Sequence, residues 1–477
     1  MASAVLFGSG YPALQVTIHL KGSGMSIMAN SLGNQIDPTV VFGFTNLPDN
    51  REREPLRIVR GKGVFVYDER GKDYIEGAST FYCTSLGFSE EELIEAAIKQ
   101  MRELPFYVTA AYRSVPVVEE LAARLAAMAP MKNAKVAFAT TGSEANDALI
   151  KMLWYHNNAS GKSKRKKIIA RLGSYHGGTI ATASLTGWTK YHAGFDLPME
   201  GILHTQQPDY VHMAESGESE TVFADRMINE LRALIEREDP ETIGAFFAEP
   251  VSVSAALALP PATYWEKLTA LLRDYEIRLL DDEVVTGFGR TGNMFGCETY
   301  GFEPDCLTVA KALTSAYQPL SAVIMGEEFY EGLERGSAQA GMFSHAGTYH
   351  GHPVPAAVAL RTLELMEERD ILGHVRTVGR HFSSRLKALE DHPLVLRSRA
   401  IGLAGAVDLA MPKFEAGSLG GLAAVLCEAH GLFVRPSNDT LVMAPPLIIT
   451  DREIDEMFRR LREALDALLA GDKAVDA

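Results

Sequence analysis

The chain has 477 residues, 47% hydrophobic and 22% charged, enough to bury a large core and to divide into two compact units. A formal charge of −15 excludes a general nucleic-acid or anionic-membrane surface, and no apolar run has the length of a membrane span. Four well-separated cysteines without a C-x-x-C pair exclude a disulfide framework or structural zinc and fit a reducing, cytoplasmic setting.

Residues 1–30 read as an N-terminal extension. They make a poor signal peptide, because no basic residue precedes Lys21, and Met25 and Met28 offer alternative starts. Residues 63–77 alternate like an antiparallel hairpin turning at Glu69, Arg70 and Gly71. From about residue 92, apolar runs of strand length (135–141, 166–172, 242–251, 277–285, 306–312, 320–325) alternate with helical patterns such as 143–158 and 263–276. Near-continuous apolar strands separated by helices predict an α/β fold with a mostly parallel sheet covered on both faces. A basic run, KSKRKK at 162–167, reads as a solvated loop. A long helical stretch over 355–389 follows, then an apolar segment at 394–410, a helix near 418–430 and an amphipathic helix from Asp451. The expected organisation is a large α/β domain over 92–353, with a small α+β domain built from both termini, 31–91 and 354–477.

Four motifs along this framework carry chemistry. Lys311 ends an apolar run, where desolvation would lower its pKa and free the amine to attack an aldehyde. TTGSEAND (140–147) passes from strand to helix through Gly142 and Ser143, a helix N-terminus able to hold a phosphate, although the same pair also serves as an ordinary cap. Asp282 ends the strand before VVTGFGRTG, placed to keep a pyridine nitrogen protonated; the bland alternative is a strand-end cluster of Asp281, Asp282 and Glu283. Tyr175, after the strand at 166–172, could stack on the ring or belong to the core. In order, these are the parts of a pyridoxal 5′-phosphate site.

The ordered set resembles the class III (subgroup II) aminotransferases of fold type I. It does so above all through DDEVVTGFGRTGNMFG followed by YGFEPDCLTVAKALTSAYQPLSAVI. FDLP (195–198), HT (204–205), TYHGHP (348–353) and VRPSNDTLVMAPPLIIT (434–450) resemble the amine–pyruvate (ω-) transaminase branch. That resemblance implies Lys311 as Schiff-base lysine and proton shuttle, Asp282 on the pyridine nitrogen, Val284 under the ring and Tyr175 over it. It implies Gly142 and Ser143 on the phosphate, with His176 and Glu249 in support. Thr348 would reach the phosphate of the neighbouring subunit in an obligatory homodimer. Tyr82 would wall the substrate pocket, and Arg435 matches the branch's mobile arginine. Relatives acting on 2-oxoglutarate carry an arginine where Val442 stands.

The chain departs from the pattern in three places. VSVSAALAL follows Glu249 and Pro250 where glycines are usual, Gly347 replaces an aromatic residue, and His350 a small one. Loss of a ring at Gly347 implies extra room for bulky amines. His345, His350 and His352 lie close together, but no acidic or cysteine partner stands at ligand spacing, so no metal is expected. The expected activity is ping-pong transfer of an amino group from a primary amine or ω-amino acid to pyruvate or a similar keto acid. Neither nucleic acid nor membrane is an expected partner. A racemase, aminomutase or decarboxylase on the same scaffold, or a catalytically silent binding protein, stands as the alternative.

Overall fold

The computed structural model describes residues 4–6, 14–16, 39–51, 54–411 and 414–475. Apart from the short strands Ala4–Leu6 and Leu14–Val16, the expected extension at 1–30 lies outside the described residues.

A seven-stranded sheet runs in the order Lys135–Ala139, Ser321–Met325, Cys306–Val309, Arg278–Asp282, Ile243–Ala248, Lys167–Arg171 and Ile202–Thr205. Every neighbouring pair is parallel except those made by Ser321–Met325, which runs antiparallel to both its neighbours. The inner strands are continuous apolar runs because both faces are covered. Leu280, Phe247, Cys306 and Val323 pack with Leu149 and Leu153 of the helix Gly142–Ala159. Their alternates Leu279, Phe246, Leu307 and Ile324 pack with Phe223, Leu231 and Trp265 of the helices Glu220–Arg237 and Tyr264–Asp274. The carboxyl ends of the parallel strands open on one side, where such sheets bind ligands.

The two chain ends meet in smaller sheets. Phe65–Asp68 and Asp73–Glu76 form the expected hairpin, extended by Ile58–Lys62 on one edge. On the other edge Leu432–Phe433 adds in parallel to Asp73–Glu76, tying the C-terminal segment to the N-terminal one. Val395–Ile401, Ala404–Leu409, Thr440–Met443 and Arg435–Ser437 form an antiparallel sheet beside them.

Two local expectations differ from the structure. The stretch expected to be helical over 355–389 is two helices, Pro353–Glu368 and Ile371–Ala388. Asp370 between them takes a positive φ of 44°, and its side chain caps the second helix by accepting from the Gly373 amide at 3.2 Å. The basic run at 162–167 is not simply solvated. Arg165 is buried, paired with Glu241 at 2.9 Å and donating to the carbonyls of Tyr275 and Glu276, while Lys162 meets Glu276 and Lys167 meets Glu238.

Candidate active site

A cavity of about 360 Å³ lies at the carboxyl ends of the central strands. Tyr82, Gly142, Ser143, Tyr175, His176, Glu249, Asp282, Val284, Lys311 and Arg435 all line it, drawn from segments far apart in the chain. Gly347 and Thr348 do not; they lie on the neighbouring loop, with Thr348 exposed.

The strand Arg278–Asp282 ends with Asp282 almost wholly buried and held in a fixed orientation. Its Oδ2 accepts from Asn146 Nδ2 at 2.8 Å and lies 2.8 Å from His176 Nδ1, and its Oδ1 accepts from the Val284 amide at 3.1 Å. Asn146 is itself locked: Nδ2 also donates to the His176 carbonyl at 2.8 Å, and Oδ1 accepts from Thr308 Oγ1 at 2.6 Å. Strand alternation turns Asp281 and Glu283 away from Asp282. Glu283 accepts from Thr286 and from the amides of Gly296 and Cys297, whereas neither Asp281 oxygen has a hydrogen-bond partner. Burial, reinforced by the Glu283 charge, pushes the Asp281 carboxyl well above its ordinary range. Asp281, Glu283 and Cys297 bring three possible metal ligands within 4.8 Å of one another. Both Glu283 oxygens are already engaged by Thr286 and by the amides of Gly296 and Cys297, so the cluster is held by hydrogen bonds within the protein.

Lys311 follows the strand Cys306–Val309 in a short 3₁₀ turn, at a positive φ of 48°. Desolvation lowers its pKa against the opposing pull of Asp282 and Glu249, and its Nζ lies 5.6 Å from the centre of the Tyr82 ring. Glu249 is buried in turn. Burial raises its pKa, and its carboxylate accepts from Ser252 and Ser254, two residues of the segment that departs from the glycine-rich pattern.

The helix Gly142–Ala159 begins at this cavity. Thr141 caps it, accepting from the Glu144 amide at 3.1 Å, and Ser143 Oγ accepts from the Gly178 amide at 3.1 Å. Gly142 packs against Val284 so closely that a Cβ would lie 3.0 Å from Val284 Cγ1. Aromatic rings close the mouth: Phe44 stands 6.2 Å from Phe81 and 5.6 Å from Tyr191, which also meets Tyr175 at 5.7 Å and Trp188 at 5.4 Å. Arg435 lies over the faces of Phe81 at 4.5 Å and Tyr82 at 5.8 Å. On the adjacent strand its cross-strand partner is Val442, which also lines the cavity.

These groups fit pyridoxal 5′-phosphate. The cavity brings together a helix N-terminus with Ser143, a fixed carboxylate, a desolvated lysine and the apolar side chain of Val284, the groups that a phosphate, a ring nitrogen, an aldehyde and a ring face require. Asn146, Phe44, Phe81, Trp188, Tyr191, Ser252 and Ser254 escape the sequence reading. Asn146, inside TTGSEAND, and Ser252 and Ser254, inside VSVSAALAL, stood in stretches that could have drawn attention to them.

The family described as aminotransferase class-III matches residues 48–465. Gamma aminobutyrate transaminase 3, chloroplastic, of Solanum lycopersicum is 42% identical over 451 residues, 91% of this chain and 87% of that protein. Vanillin aminotransferase of Capsicum annuum is 42% identical over 421 residues, 87% and 92% of the two chains. Among solved structures, the omega transaminase from Pseudomonas jessenii in complex with PMP superposes with a TM-score of 0.88 at 42% identity, over 90% of this chain and 96% of that one. A match of that extent, with this fold beneath it, leaves one assignment: the chain belongs to the class-III aminotransferases, and its cofactor is pyridoxal 5′-phosphate.

Proposed function

We propose that this aminotransferase moves an amino group from a primary amine or ω-amino acid to pyruvate or a similar keto acid. The observation that carries this reading is the single guanidinium among the described residues lining the cavity, Arg435, lying on aromatic faces beside Val442. An arginine there can fork onto a carboxylate, or lie back on the rings and leave an apolar surface for an amine. Relatives named for gamma-aminobutyrate and for vanillin, one an acid and the other an aromatic aldehyde, support a pocket of both characters. The rings of Phe44, Phe81, Tyr175 and Tyr191 favour aromatic amine donors.

The cofactor, when bound, supplies an electron-withdrawing ring that stabilises the carbanion left when a substrate Cα loses its proton. Lys311 is the Schiff-base residue. Burial lowers its pKa, and once displaced by a substrate amine it would be the group to carry the proton from Cα. Asp282, oriented by Asn146 and His176, keeps the ring nitrogen protonated. Ser143 and the amides opening at Gly142 would hold the phosphate, Val284 and Tyr175 would lie against the ring, and Tyr82 would wall the substrate side. Glu249, which lines the cavity, is held by Ser252 and by Ser254, itself a lining residue.

The active unit is a homodimer in which Thr348 reaches the partner's phosphate. Thr348 and Gly347 lie outside the cavity of their own protomer, in a loop whose Met342, Phe343 and Tyr349 are also exposed. The small domain comprises 31–91 and 354–477, and the large one 92–353.

The test is a half-reaction. Purified, cofactor-loaded protein is mixed with amines from propylamine to 1-phenylethylamine, and loss of the Schiff-base absorbance is followed. Pyruvate or 2-oxoglutarate is then added. Bleaching by simple amines, fastest with the aromatic ones and reversed best by pyruvate, is the expected result. Absence of bleaching with any amine, alongside racemisation or decarboxylation of an amino acid, would move the chain to that other chemistry.

A further inference from the structure

The loop at 341–352 touches the site from outside. Its turn is closed by the His350 amide donating to the Gly347 carbonyl at 3.1 Å, which leaves Thr348 at the exposed corner. His350 then folds back over the start of the turn, so closely that a Cβ on Gly347 would lie 2.3 Å from its Nε2. The space that a side chain at 347 would need is therefore held by the imidazole. The same Nε2 lies 2.8 Å from Glu144 Oε1. Glu144 stands in the first turn of the helix Gly142–Ala159, directly after Ser143, and its other oxygen accepts from the amide and hydroxyl of Thr140 where the preceding strand ends. On the far side Thr109 Oγ1 donates to the His350 carbonyl at 2.7 Å.

We propose that His350 is a positioning residue for the cofactor: its bond to Glu144 fastens the Thr348 turn to the start of the phosphate-binding helix, so that each protomer's own phosphate cup and the tip it lends its partner form one rigid unit. This rests on the reading that Thr348 reaches the partner's phosphate. Two changes reach the same contact from different sides. His350→Ala removes the donor, and Gly347→Ala displaces the imidazole by its added Cβ.

The experiment is equilibrium binding of pyridoxal 5′-phosphate, and separately of pyridoxal, to the purified full-length dimer after its cofactor has been removed. Thr348→Ala is expected to weaken pyridoxal 5′-phosphate binding about tenfold, as loss of a hydrogen bond to a charged group does. His350→Ala and Gly347→Ala are expected to weaken it about fivefold, the scale of one fixed contact, and none of the three to change pyridoxal binding. His350→Gln, still able to donate to Glu144, should recover most of the loss. The double variant Thr348→Ala/His350→Ala should bind no more weakly than Thr348→Ala alone, because the second residue acts through the first.

Full affinity in both His350→Ala and Gly347→Ala, with Thr348→Ala weakened, would overturn the proposal and leave the reading of Thr348 intact. Full affinity in Thr348→Ala would overturn both. Additive losses in the double variant, or equal losses for pyridoxal, would show His350 acting by another route and end the proposal as well.

Discussion

Glu76 offers a perturbation whose size follows from its surroundings. It ends the strand Asp73–Glu76 six residues before Tyr82 and is only 6% exposed. Burial pushes its carboxyl up to about 7 from the ordinary 4.5, while the amides of Thr80 and Ala78 and the Arg435 guanidinium pull in the other direction. An acid whose folded pKa is raised holds a proton that the unfolded chain has already released. Stability therefore falls as pH climbs from about 4.5 to about 7 and levels off above that. At about 1.4 kcal/mol per pH unit, the Glu76 contribution to that fall is roughly 3 kcal/mol. Glu76→Gln does not titrate, so its stability relative to wild type should rise by about that amount between pH 4.5 and 8, on top of a constant offset of about 1 kcal/mol from altered hydrogen bonding. Denaturant unfolding of both proteins across that range, at fixed protein and cofactor concentration, measures the difference. A difference that stays flat within about 1 kcal/mol over the range would refute the reasoning, because the titrating carboxyl would then not be the cause.

Three further outcomes are expected. Lys311→Ala should lose turnover while keeping the cofactor through the phosphate end of the site, measured by steady-state rates and by cofactor retained on dialysis. Arg435→Ala should raise KM for pyruvate roughly a hundredfold, the scale of a charged fork (about 3 kcal/mol), with KM for 1-phenylethylamine little changed. Asn146→Leu removes bonds to Asp282, the His176 carbonyl and Thr308. It should cost about 3 kcal/mol of stability on denaturant unfolding and lower kcat at least tenfold, as Asp282 loses its fixed orientation.

The legible part of this protein was the part written in contiguous residues. The inner strands announced themselves because both their faces are apolar, and Lys311 and Asp282 stand where those runs end. What escaped depends on partners far away in the chain. Ile202–Thr205 is a strand that carries His204, so its pattern is too polar and short to stand out; it holds its place by pairing with Lys167–Arg171. The break at Asp370 is a single positive φ that a helical pattern cannot reveal. Asn146 looks like any polar residue on a helix until the fold brings Asp282, 136 positions later, to its amide. Arg165 shows the same limit, since a run of cations reads as solvated unless the acids that neutralise it are in view. The rings at the mouth come from three separate segments, and nothing local marks them as neighbours.

The pairing of Arg435 with Val442 has a consequence for how this scaffold changes its diet. Antiparallel cross-strand partners share a face and stand only about 5 Å apart. Exchanging the two residues would transpose the positive charge by one strand spacing and leave the backbone register untouched. If Arg435 anchors a carboxylate as proposed, two substitutions would step that anchor sideways across the pocket mouth and trade one acid length for another. On the proposed reading, acid length would be set by which strand carries the guanidinium, and the role of Lys311 would be untouched.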